Sequence, residues 1–113
     1  MMDTFAIRNE MLTEAKRAAA EIHSKYGDNW GACGFAWTTV VPEHKGNTKA
    51  GKAERVILEQ LGFSKDWTGK SYQLWDPAGY GGQNIDVKEA GADAAAKVLK
   101  RYGFKAYAGS RLD

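Results

Sequence analysis

A single cysteine, Cys33, excludes an internal disulfide framework and fits a reducing compartment. Histidine is scarce too. His23 and His44 stand far apart, too few for a structural zinc site, so no metal and no cofactor is expected. No uncharged apolar run approaches membrane-spanning length, and Met1-Met2-Asp3-Thr4 with Arg8 and Glu10 close behind lacks the apolar stretch of a secretion signal. The expectation is a soluble, cytoplasmic protein. An excess of one charge is also missing: sixteen Lys and Arg against fourteen Asp and Glu leave a formal +2, which compels neither a nucleic-acid nor a membrane partner. No pair of carboxylates stands out as acid and base. Cys33 with His44 as base lacks a third orienting group, so Cys33 reads as a buried, inert thiol and the chain as non-enzymatic.

What is present fits one domain over residues 1–113, long enough to bury a core. Ile7, Met11, Ala15, Ala18 and Ile22 recur at helical spacing and predict a helix over about 4–26, capped by Asp3 or Thr4 and stopped by Gly27. The aromatic and β-branched run 34–41 reads as a strand closed by Pro42, with Phe35, Trp37, Thr39 and Val41 on one face and Ala36, Thr38 and Val40 on the other. A second helix is expected over 48–61, with Gly62 and Phe63 forming its stop. A short strand follows at 71–75. Asp86 and Glu89 at capping-box spacing open a third helix over 87–102, stopped by Gly103, and a last strand is expected at 104–108. Both later helices are long enough to be crossovers. The order α-β-α-β-α-β then predicts a three-stranded, at least partly parallel sheet packed by three helices, in the α/β or α+β class.

Gly46 to Ala53 has the spacing of a phosphate-binding loop, but Ala53 replaces the hydroxyl that would hold Mg²⁺, so it reads as a false match for an NTPase. Its helix start, with Asn47, Thr48, Lys49 and Lys52, remains a candidate anion site. The glycine-rich loop 77–84 presents Tyr80 and Gln83 as candidate binding residues. Of the four tryptophans, Trp37 and Trp75 read as core, whereas Trp30 and Trp67, in polar loops, are placed to stack on a base or anchor a partner. Ser110, Arg111 and Asp113 gather a hydroxyl, a guanidinium and a carboxylate at one place, either pairing among themselves or addressing a partner.

Cys33-Gly34-Phe35-Ala36-Trp37, then Asn47-Thr48-Lys49, Trp75, Gly82-Gln83 and the stretch Ala106-Tyr107-Ala108-Gly109-Ser110-Arg111-Leu112-Asp113 resemble a group of small proteins encoded in bacteriophages and prophages. The resemblance spans about residues 33 to 113. It implies a phage origin; together with the thin case for catalysis, the loop aromatics and the polar stretch at 110–113, the expectation is a phage-type accessory binding protein that engages a host protein or nucleoprotein complex in the host cytoplasm, with inhibition of host defence as one form of that engagement. Two alternatives follow from the residues themselves. One is nucleic-acid binding, through a basic set from His44 to Arg55 and a second of Lys97, Lys100, Arg101, Lys105 and Arg111. The other is capture of a nucleotide or phosphorylated ligand between the Asn47 helix start and Arg111.

Overall fold

The computed structural model describes residues 2–27 and 31–113. Helix α1 spans Thr4–Tyr26, strand β1 Gly34–Val40, α2 Lys49–Gln60, β2 Ser64–Lys65, β3 Tyr72–Trp75, α3 Ile85–Arg101 and β4 Ala106–Leu112. The strands form one antiparallel sheet in the order β2-β3-β1-β4.

This corrects the expected three-stranded, partly parallel sheet, and the connections explain why. The short strand β2, absent from the sequence reading, pairs with β3 through Ser64↔Gln73 and Lys65↔Tyr72, so α2 feeds a hairpin and β3 returns antiparallel to β1. Helix α3 is a true crossover. It links β3 to β4, which run in the same direction, but β1 lies between them and no parallel ladder forms. The last strand also differs from its expected range, because Gly34, Phe35 and Ala36 pair with Leu112, Arg111 and Ser110 and draw the chain's final residues into the ladder.

Local chemistry sets the ends of the helices. Asp3 caps α1 by accepting from the Ala6 amide, Thr48 caps α2 by accepting from Gly51, and Asn84, not Asp86, caps α3 by accepting from Asp86 and Val87. Helix α2 stops where Gly62 takes φ 101° and the Phe63 amide reaches back to Leu58; Gly103, φ 93°, and the Phe104 amide on Leu99 repeat the device after α3.

Helix α3 lies across β1 and β4, and α1 lies across α3. Its small buried residues, Gly91, Ala92, Ala95 and Ala96, let it fit between the sheet and α1. The Thr38 hydroxyl, on the covered face, donates to the Ala92 carbonyl at 2.8 Å. Leu58, Leu61 and Phe63 join Ile7, Met11, Val40, Tyr72 and Leu99 in the same core. The even-numbered strand residues Ala36, Thr38, Val40, Tyr72 and Ala106 thus face the helices and are buried.

Candidate nucleic-acid interface

The odd-numbered residues face the other way, onto a sheet surface whose residues are absent from the core that the helices share. Register sets Trp37 between Trp75 on β3 and Gly109 on β4, Phe35 opposite Arg111, and Thr39 between Gln73 and Tyr107. The two indoles stack at 4.7 Å between centroids with 30° between their planes, and Phe35 meets the edge of Trp75 at 6.1 Å. The Arg111 guanidinium lies 5.5 Å from the Phe35 ring and 6.0 Å from Trp75. Gln73 accepts the Trp75 indole N–H at 3.3 Å.

Gly109 makes this arrangement possible. A Cβ there would stand 2.7 Å from the Trp37 ring, so only glycine lets that indole lie flat across β4. Trp75 remains 47% exposed and Tyr107 50%. Both present ring surface to solvent on either side of Trp37. Trp37 and Trp75, expected in the core, therefore lie outside it, Trp37 partly buried and Trp75 exposed, because the helices cover only the other face of their strands.

Behind Phe35 lies a polar support. The buried Lys88 amine donates to the Gly34 carbonyl at 3.0 Å and sits 5.2 Å from the Phe35 ring centre. Asp76 turns the chain directly after Trp75 in a left-handed conformation, φ 46°, rare for a residue other than glycine. Its Oδ1 is buried without a partner among the described residues, and burial raises its carboxyl above the usual range, opposed by the Tyr80 amide and Lys88.

At the opposite end of β3 the β2–β3 turn is tied by one carboxylate. Asp66 accepts from the Thr68 hydroxyl at 2.7 Å, the Gly69 amide at 2.9 Å and the Ser71 hydroxyl at 2.6 Å. The Ser71 and Thr68 hydroxyls lead these bonds in holding its pKa down to about 2. On this braced turn Trp67 is 94% exposed.

The other sequence candidates scatter. Thr48 is consumed as a cap, with its hydroxyl and amide both donating to the Lys45 carbonyl. The Glu54 carboxylate accepts the Glu43 and His44 amides, and Arg55 donates to the His44 and Gly51 carbonyls, so both side chains are spent tying the preceding loop to α2. Asn47, Lys49 and Lys52 are exposed around it. This start follows the far end of β1 from Arg111, some six strand steps or about 20 Å away. The two cannot hold one small anion between them. The second basic set divides as well: Arg101 pairs with Glu10 at 2.7 Å on the α1 side, while Lys105 directly precedes β4 and Arg111 lies near its end.

Tyr80, expected to be presented by the glycine-rich loop as a binding residue, packs partly buried against the core beside His23. Gln83 is exposed, and its carbonyl accepts the Gly34 amide. Ser110 and Arg111 point to opposite faces, Ser110 donating to Glu89 at 2.7 Å, while Asp113 is exposed and its amide donates to the Cys33 carbonyl. Cys33 is exposed, against the expectation of a buried thiol, because it precedes β1 at the sheet's end. Trp30 lies outside the described residues. Sequence reasoning missed Phe35, Gln73, Trp75, Tyr107 and Gly109 as a set. The alternation of β1 had already put Phe35 and Trp37 on one face, but nothing in it said which face the helices would cover.

Comparison of the chain with protein-family models, with curated proteins and with solved structures finds no match.

Proposed function

We propose that the protein is a non-enzymatic binding protein whose open sheet face stacks on the bases of single-stranded nucleic acid. The observation that carries this reading is the Trp37–Trp75 stack flanked by exposed Tyr107 and crossed by Arg111. Every base offers a π-face, so aromatic platforms bind strands with little regard to sequence, while an arginine supplies both charge and stacking. A sheet backed by helices holds such rings at fixed spacing, which limits the side-chain entropy lost on binding. The modest net charge of +2 fits affinity drawn from stacking more than from phosphate neutralisation.

The deciding experiment titrates labelled single-stranded oligonucleotides at low ionic strength and follows anisotropy and tryptophan quenching. Trp75→Ala should weaken binding by about 5- to 150-fold, the equivalent of about 1–3 kcal/mol for one stacked base. Arg111→Ala should weaken it and flatten the salt dependence. No quenching and no binding at low salt would refute the proposal.

A second reading, engagement of a host protein, is favoured by Trp67. A tryptophan this exposed on a turn braced by Asp66 has the form of an interface anchor. Loss of a stoichiometric partner from host lysate on Trp67→Ala, with oligonucleotide binding unchanged, would separate it from the first.

A further inference from the structure

Strand β4 closes one edge of the sheet, and among the described residues no strand pairs with its outer side. Its inner side is defined by two bonds: the Val41 amide donates to the Lys105 carbonyl at 2.9 Å, and the Asp113 amide donates to the Cys33 carbonyl at 3.1 Å. Odd residues therefore exchange hydrogen bonds with β1. By the antiparallel alternation, the amides and carbonyls of Ala106, Ala108, Ser110 and Leu112 point outward. Edge strands are ordinarily guarded by proline, bulges, inward charges or shortness. This edge has seven residues from Ala106 to Leu112 with no proline, and its single charge, Arg111, lies over the open face. Leu112 is 68% exposed.

We infer that the outer edge of β4 pairs antiparallel with β4 of a second copy, centred on Gly109, to make one continuous eight-stranded sheet. A two-fold axis perpendicular to the sheet is the operation that joins two identical edges antiparallel, and it keeps odd residues opposite odd. Centred on Gly109, the outward groups of Ala108 bond those of Ser110 in the other copy. Lys105 of each copy then faces Asp113 of the other, and Tyr107 faces Arg111. Opposite charges directly across a ladder attract; like charges repel. Moving the centre to Ala108 would set Lys105 against Arg111, and moving it to Ser110 would set Asp113 against Tyr107. The charges select Gly109. With no side chain, Gly109 also suits the closest backbone approach in the ladder, where Cα atoms come within about 4.5 Å. Because the axis preserves faces, both aromatic surfaces end on the same side.

Sedimentation of the full chain across a range of concentrations tests this without nucleic acid, so its outcome is independent of the binding reading. The expected result is a reversible dimer. Ala108→Pro removes an outward amide while leaving the bonds to β1 intact, and should raise the dimer dissociation constant at least about tenfold. Lys105→Asp sets like charges opposite one another and should also weaken the dimer; adding Asp113→Lys should restore it. A monomer at every concentration, or a dimer indifferent to Ala108→Pro and to Lys105→Asp, would overturn the inference. A dimer weakened by Lys105→Asp but not rescued by Asp113→Lys would overturn the register centred on Gly109. The surface charge pair keeps the test open even if the proline variant fails to fold.

Discussion

The two faces of this sheet carry similar residues to opposite ends. On the covered face, Ala36, Thr38, Val40 and Tyr72 are small or apolar and each is almost wholly buried beneath α3 and its neighbours. On the open face Phe35, Trp37, Trp75 and Tyr107 are larger, yet Phe35 and Trp37 lie against Trp75, Trp37 covers the Gly109 backbone, and the four do not close into a core. Aromatic content alone therefore does not mark a core. A helix needs small residues to approach a sheet closely, so the bulky rings are left on the side opposite α3, where no helix packs among the described residues.

The largest break in this comparison should come from the covered side. Leu99, fully buried in α3, has no means of relaxing outward, and Leu99→Ala should cost about 2–5 kcal/mol in denaturant unfolding. A loss of similar size from Trp75→Ala would mean that the open face is core after all. Next is Gly109→Ala: its new methyl meets the Trp37 ring, which must lift or shift. The expected cost is about 1–3 kcal/mol, accompanied by altered tryptophan fluorescence, which Leu99→Ala should not copy.

Asp76→Asn should act in the opposite direction. Burial raises the Asp76 carboxyl, so the stability linked to its protonated form is present below the ordinary 3.8 and lost as pH rises through the raised value. Replacing it with a neutral amide that tolerates the left-handed backbone should raise the melting temperature at neutral pH by the equivalent of about 1 kcal/mol or less, and this gain should vanish in acid. A drop in stability at neutral pH would show that the negative charge beside Lys88 outweighs its burial. The smallest effect belongs to the Asp66 turn. Its lowered carboxyl contributes stability above the ordinary 3.8, lost as pH falls toward about 2, so Trp67 mobility, read by fluorescence anisotropy, should rise in that window. Asp66→Ala should remove the pH dependence.

Much of the local structure was legible because it depends on neighbours in sequence. Gly62-Phe63 and Gly103-Phe104 mark helix stops that use the same backbone bonds, and the alternation from Phe35 to Val41 sorts those residues into two faces. The cap of α3 was legible less well. Asp86 and Glu89 have capping-box spacing, but Asn84 takes the role, since it is buried and its carbonyl oxygen reaches two amides at once. The strand β2 was too short to leave a periodic signal.

By itself, then, the sequence determined where helices stop, which strand residues share a face, and that one short stretch near residue 110 would concentrate polar groups. Tertiary structure decided the rest. Only the pairing of β4 with β1 as far as Leu112 splits Ser110 from Arg111 onto opposite faces, because neighbouring residues diverge once a strand is paired. Only the docking of α3 against the small side chains of the even-numbered positions leaves Trp37 outside the core and Trp75 and Tyr107 exposed. The letters fix two faces but not which one the helices cover, since that depends on how closely α3 and the sheet can approach.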